Sequence, residues 1–303
     1  QSRINRLRHR TEELEVKINV ELFDNARVVA STLVGSNSSL LTGRRFGTLF
    51  VDEAGQALEA ATWIAVRKAD RVVLAGDHLQ LPPTIKCYDA ERGGLGVTMM
   101  EMVVRRWQQA VTLLTTQYRM NRQIMQFSSD WFYGGSLKAA DEVKVRGILD
   151  FDTPMEWIDT SQMDFDEQVQ GAGCSKVNVK EADFFVARLE EYVSRIGLER
   201  ILDERIDFGL ISPYKAQVRY MRQIVKRSAV LRQLREVLTV DTIDGFQGQE
   251  RDVVFISLVR SNDDGSIGFL SDLRRMNVAI TRARMKVVVI GNASTLCHHK
   301  FYA

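Results

Sequence analysis

Arg251–Arg260 reads RDVVFISLVR, with apolar side chains at 253–256 and again at 258–259. A strand with one wet face alternates apolar and polar residues. This one is apolar on both sides, which marks a strand buried in a parallel sheet. The same texture recurs in the second half at MEWIDT (155–160), DFGLISP (207–213), VLTVDT (237–242) and KVVVIGN (286–292). In the first half it recurs at RVVAST (27–32), TLFVDE (48–53), RVVLAGD (71–77) and AVTLLTT (110–116). Helical spacing fits between these runs at Leu58–Ala69, Val97–Gln109, Lys180–Ile196, Tyr214–Arg227 and Asp272–Arg284. Residues 1–24 read as one helix, with Ile4, Leu7, Leu14 and Ile18 in step and Arg3, Arg6, Arg8 and Arg10 crowding its start. Ser161–Lys180, polar and carrying Gly171 and Gly173, reads as a surface loop. Strands joined by helices predict an α/β protein with parallel sheets, in two halves, 1–116 and 117–303.

The 303 residues are 45% hydrophobic and 26% charged, the balance of a water-soluble globular chain, and two domains are the natural expectation at this length. The net charge is only +2, so a nucleic-acid surface would have to be local. Cys87, Cys174 and Cys297 are far apart, with no Cys-x-x-Cys pair. That argues against a disulfide framework or a zinc site and predicts a reducing, cytoplasmic setting. No apolar run approaches the roughly 18 residues of a membrane helix, so no membrane partner is expected. The sequence opens on Gln1, and its natural start is expected to lie upstream.

Ligands of open α/β sheets bind at the carboxyl ends of the strands. There the first half offers Ser31–Thr32, Asp52–Glu53, GDHLQLPP (76–83) and QYRM (117–120). The second half offers SPYKAQ (212–217), VDTIDGFQGQE (240–250) and MNVAITRAR (276–284). Solvated loops are the bland reading, yet these residue types suit phosphoryl transfer. An aspartate at a strand end can hold Mg²⁺, an adjacent glutamate can orient or deprotonate water, and arginines can neutralise charge on the transferred group.

VDEAGQ (51–56), GDHLQLPP, QYRM, VDTIDGFQGQE and NVAITRAR, in this order, resemble motifs II to VI of superfamily 1 helicases. The likeness is to the subgroup of the nonsense-mediated-decay and immunoglobulin-mu-binding-protein helicases, and it runs from about residue 26 to 292. It implies two RecA-like domains, the first incomplete, with the opening helix similar to the end of a stalk. It implies ATP and Mg²⁺ as cofactors, hydrolysed between the domains as they close, and single-stranded DNA or RNA as partner, bound across them by a monomer travelling 5′ to 3′. The fine detail of the motifs looks like bacterial cytoplasmic members. Carried onto this sequence, Asp52 would hold Mg²⁺ and Glu53 would be the catalytic base. Gln80 would sense the γ-phosphate, with Gly76 and Asp77 shaping its loop, and Arg119 and Arg282 would contact the γ-phosphate. Tyr118 would stack on adenine, and Gln247, Gly248 and Glu250 would face the nucleotide. Ser31, Thr32, Pro213, Tyr214 and Thr242 would line the single-strand track. Packing remains the alternative for Tyr118, Ser31, Thr32 and Tyr214, and a surface or interdomain place for Arg284. His78 reads as a loop residue, and His298–His299 as solvated.

One element of the pattern is missing. A P-loop helicase cradles phosphates in Gly-x-x-x-x-Gly-Lys-Ser/Thr, and no Gly-Lys dipeptide occurs here. Two readings stand: the carboxyl-terminal part of an ATP-dependent helicase whose phosphate loop lies upstream, inactive alone, or a non-catalytic nucleic-acid-binding module. A metal-dependent nuclease has only the Asp52–Glu53 pair in its favour.

Overall fold

The computed structural model describes residues 2–171 and 175–303. Gly173 and Cys174 lie outside the described residues. The chain divides into two compact units, the first running to His78 and then over Pro82–Val111, the second taking Leu79–Leu81 and Thr112–Ala303.

The first unit opens with the helix α1 (Ser2–Asn25), whose Ile4, Leu7, Leu14 and Ile18 face solvent. Strand β1 (Phe46–Val51), helix α2 (Glu59–Val66) and strand β2 (Ala69–Leu74) form a β-α-β crossover unit, with β1 and β2 parallel from Phe46↔Ala69 to Val51↔Leu74. Helices α3 (Tyr88–Arg92) and α4 (Met99–Arg106) follow. Phe50 and Val73 of this two-stranded sheet are 73% and 39% exposed. The strands expected at 27–32 and 110–116 do not form, apart from Thr116 at the end of the second run. β-propensity describes the fit of a side chain on a pleated, half-buried surface, and among the described residues no strand pairs with 27–32, while a strand at Lys138–Ala139 meets the second run only at Thr115 and Thr116. Leu114 and Val28 are accordingly 82% and 85% exposed.

The second unit starts with β3 (Thr116–Gln117), α5 (Arg122–Phe132) and β4 (Lys138–Ala139). The expected surface loop contains a hairpin, β6 (Gln168–Gln170) with β7 (Ser175–Val177), after β5 (Met155–Asp159). Then come α6 (Val179–Ile196), α7 (Leu198–Asp203), β8 (Phe208–Ser212), α8 (Lys215–Arg227), β9 (Leu238–Thr242), β10 (Arg251–Ser257), α9 (Arg274–Ile280), β11 (Ala283–Gly291) and α10 (Ala293–Leu296). Five strands make one parallel sheet in the order β5-β11-β10-β8-β9. Every residue of β8 is buried, as strands flanked on both faces require.

Helix α6 shows why the core holds. Ala182, Phe185, Leu189, Val193 and Ile196 recur at helical spacing and are all buried, each large side chain contributing about 1.5–3 kcal/mol. Asn178 caps the helix by accepting the Glu181 amide at 3.0 Å. Phe185 meets Phe255 of β10 edge-on, ring centres 5.8 Å apart. The helix expected over 272–284 ends at Ile280, because Ala283 already pairs with Arg251 of β10. Arg284 therefore stands on a strand. Among the described residues, no helix is long and apolar enough to cross a membrane.

Candidate functional site: the strand-end loops

In the first unit, Val51 and Leu74 end adjacent strands, and the loops beyond them touch backbone to backbone. The Ala75 amide donates to Val51 O and the Ala54 amide to Ala75 O, both at 2.8 Å. A Cβ on Gly76 would lie 2.8 Å from the Ala54 nitrogen, and one on Gly55 would lie 2.7 Å from the Asp77 carbonyl oxygen. Glycine at both positions is what allows the DEAGQ and GD segments to meet. Asp52 and Glu53 are exposed on this platform. Glu53 sits at φ 51°, the left-handed region a glutamate rarely adopts, a strain of roughly 1–3 kcal/mol of the kind that marks functional positions. Its amide donates to Asp52 Oδ1 at 3.0 Å, and its Oε2 accepts from Gln56 Nε2 at 2.7 Å. Ser31 and Thr32 are also exposed; Thr32 Oγ1 accepts the Gly35 amide at 3.0 Å, and Ser31 Oγ donates to Thr32 O.

The second unit gathers Gln80, Arg119, Arg282 and Glu250. Arg282, 2% exposed, donates to Val278 O at 3.0 Å, Gln249 O at 3.1 Å, Thr281 Oγ1 at 3.0 Å and Gln80 Oε1 at 3.4 Å. Gln80 comes to Arg282 because Leu79–Leu81 packs with this unit. Asn277 Nδ2 donates to Leu79 O at 2.9 Å, and Leu81 is buried among Met120, Ile243 and Ile280. Arg119 pairs with Glu250 through its Nε and donates to Thr281 O at 3.3 Å. Glu250 thus faces an arginine of its own unit.

Gln117 fixes the turn that carries Arg119. Its Oε1 accepts the Arg119 and Met120 amides at 2.8 and 2.7 Å, and its Nε2 donates to Met120 O at 2.8 Å. Sequence reading quoted this residue without a role; a side-chain amide satisfying a backbone turn leaves no periodic signal. Tyr118 beside it is 68% exposed, which removes the packed-aromatic alternative. The side-chain nitrogen of Gln247 is buried without a hydrogen-bond partner, and Gly248 is exposed at φ 77°.

Behind the arginines lies an ionic cluster. Arg284 reaches Asp207 at 3.3 Å, Asp252 at 3.2 Å and Glu250 at 3.6 Å, so it is a structural tie within the second unit. Asp207 and Asp252 clasp each other's backbone amides, at 2.6 and 3.1 Å. Burial, with Asp207 adjacent, holds the Asp252 carboxyl above its ordinary range. Desolvation, with Arg284 nearby, pulls the Arg146 guanidinium down.

The single-strand assignments need one correction. Tyr214 is 3% exposed and Pro213 is buried, so neither side chain lines a surface track. The Tyr214 hydroxyl accepts from Arg260 Nη1 at 3.2 Å, and its ring lies beneath Phe269, centres 5.3 Å apart and tilted 32°. Phe269 is 53% exposed, with the Arg275 guanidinium 5.4 Å over its ring. Its only sequence signal was an aromatic set in the polar, glycine-bearing stretch DDGSIGFLSD. Thr242 remains half-buried at the end of β9, its Oγ1 accepting the Gly245 amide at 3.2 Å.

Two family models, each described as an AAA domain, match residues 1–87 and 95–294. An uncharacterized ATP-dependent helicase of Methanocaldococcus jannaschii is 33% identical, the match covering 99% of this chain and 44% of that protein. DNA-binding protein SMUBP-2 of Mesocricetus auratus is 35% identical over 97% of the chain and 30% of its own length. The regulator of nonsense transcripts 1 homolog of Neurospora crassa is 36% identical over 93% and 26%. The chain belongs to the superfamily 1B helicases. It is of the nonsense-mediated-decay and immunoglobulin-mu-binding-protein type, and it spans less than half the length of these helicase relatives.

Helicases of this family use a magnesium-nucleotide, and the donor set here fits that use. Asp52 and Glu53 are exposed, and no group of three metal-ligating side chains occurs among the described residues. Two adjacent exposed carboxylates suit Mg²⁺, which takes one or two carboxylates and leaves the rest of its shell to phosphates and water.

Proposed function

We propose that this chain is the carboxyl-terminal part of an ATP-dependent DNA or RNA helicase or translocase. In this reading Asp52 holds Mg²⁺, which supplies charge neutralisation to the phosphates when bound. Glu53 takes the proton of the attacking water, and its left-handed backbone, pinned by Gln56, sets the carboxylate's direction. Gln80, Arg119 and Arg282 act on the γ-phosphate, while Glu250 and Gln117 hold Arg119 in place. Tyr118 stacks on the adenine, and Gln247 and Gly248 face the nucleotide.

The observation that carries the reading is that Gln80 and Arg119, from motifs distant in sequence, meet Arg282 and its neighbour Thr281 respectively. The phosphate cradle comes from residues outside this sequence. A non-catalytic binding module draws support from the missing Gly-x-x-x-x-Gly-Lys-Ser/Thr. Against it stand the strained Glu53 and a buried guanidinium held beside Gln80, arrangements that cost stability and have no use in passive binding.

Single-stranded nucleic acid runs over Ser31–Thr32 in the first unit and over Thr242 and Phe269 in the second, with Phe269 supplying the stacking face. A reducing cytoplasm and a monomeric state belong to the same proposal; Cys87 and Cys297 are free and exposed. Replacing Phe269 by Ala tests the surface. Stacking is worth about 1–3 kcal/mol per base, so affinity for a single-stranded oligonucleotide should fall roughly 5- to 150-fold. Unchanged affinity would remove Phe269 from the track.

A further inference from the structure

Residues 215–240 carry seven Lys and Arg against one Glu, a local charge of +6 in a chain whose total is +2. The pattern has a shape. Lys215, Arg219, Arg222 and Lys226 follow each other at spacings of four, three and four, so they share one face of α8. All four are exposed, while Ala216, Gln217, Val218, Met221 and Val225 turn inward. At 1.5 Å per residue the stripe is about 16 Å long, with a cation roughly every 5 Å. Its far end opens into a groove of about 770 Å³ beside the edge strand β9, lined by Arg222, Lys226, Arg232 and Arg235 over Leu231 and Val240. Arg222 pairs with Asp241 at 3.3 Å; Lys226, Arg232 and Arg235 make no ion pair among the described residues.

We propose that this stripe and groove form a second phosphate-binding track, which takes the backbone of single-stranded nucleic acid beyond the strand-end surface. The proposal rests on the reading of this chain as a single-strand-binding helicase core. Three features fix the occupant. A line of cations fits a polyanion rather than a lone phosphate. The stripe starts at Lys215, where α8 leaves the carboxyl end of β8 beside Thr242, so it continues the proposed strand surface. An acidic peptide adding to the sheet edge is disfavoured, because Arg222 Nε and Nη2 already occupy the outward carbonyl of Val240 at 2.9 and 2.7 Å.

The test compares oligonucleotides of about 8 and about 20 nucleotides, short and long on the scale of single-strand site sizes, across a salt series. The variant is Lys226→Gln/Arg232→Gln/Arg235→Gln, three exposed residues outside the strand-end loops. The long oligonucleotide should lose about tenfold in affinity and about 2 in the slope of log K against log salt, at roughly 0.7 per lost phosphate contact. The short one should bind as before. Lys226→Gln alone should lower the slope by about 0.7, which guards against a folding defect in the triple variant. Unchanged binding of the long oligonucleotide, or equal losses at both lengths, would overturn the track. So would a polyglutamate peptide that competes as well as the oligonucleotide, which would indicate an acidic protein partner. Loss confined to the long oligonucleotide, in a protein that binds the short one poorly, would uphold the stripe while refuting the strand-end reading; a protein that binds neither length refutes both.

Discussion

The two strand-end regions hold their functional groups in opposite ways. In the first unit, Asp52 and Glu53 stand exposed on a two-stranded platform, positioned by backbone: two glycine contacts and one left-handed residue. In the second, Arg119 and Arg282 are held by side-chain and carbonyl partners behind a five-stranded core, and Arg282 is 2% exposed. On the proposed roles, the difference follows from chemistry. A carboxylate that binds hydrated magnesium and a water must stay wet. A guanidinium that meets developing phosphate charge works best when preorganised away from water.

The contrast can be broken at its strongest point first. Arg282→Ala should abolish the electrostatic contribution and slow strand-stimulated ATP hydrolysis in the full-length protein by about 10³–10⁵, with binding of single-stranded nucleic acid retained. Hydrolysis within tenfold of wild type would make Arg282 a packing residue. Gly55→Ala attacks the other side. The added Cβ would lie 2.7 Å from the Asp77 carbonyl oxygen, so the first unit should lose about 1–3 kcal/mol, visible as an earlier thermal transition, while the second keeps its own. A single coincident shift of the whole chain would show that the units do not melt independently.

The third prediction concerns pH. Glu181 is fully buried; its Oε1 accepts from Ser257 Oγ at 2.6 Å and the Val259 amide at 2.9 Å, and burial pushes its carboxyl from 4.5 up to about 7. Below pH about 4.5 the group is protonated in both states, and its neutral form is fully compatible with the fold. Between about 4.5 and 7 the unfolded chain ionises first, so stability falls with rising pH and levels off above. Glu181→Gln should remove that decline, leaving the variant more stable than wild type by up to roughly 3 kcal/mol at pH 8 in chemical denaturation. A parallel pH profile for the two proteins would refute the assignment.

The sheet of the second unit was legible because β8, β10 and β11 are apolar on both faces, a texture that only burial between helices explains. The runs at 27–32 and 110–116 have the same texture, yet strands need partners: among the described residues none pairs with the first, and β4 reaches only the Thr115–Thr116 end of the second. Composition cannot report a partner. Helix α9 stops four residues before the periodicity does, since pairing with β10 claims Ala283. At the site, residue types at strand ends pointed to Asp52, Glu53, Gln80, Arg119 and Arg282, and the structure brings the last three together. The roles of Gln117 and Phe269 were not read from sequence, and the packing of Tyr214 stood there only as an alternative, because each depends on one side chain meeting a particular neighbour rather than on a pattern.

The central claim is that Glu53 is the catalytic base of nucleotide hydrolysis. Strand-stimulated ATP hydrolysis should be measured for the full-length protein and its Glu53→Gln variant, with single-strand binding followed on the same samples. The account predicts a loss of about 10²–10⁴ in rate with binding unchanged. Equal rates in the two proteins would contradict it.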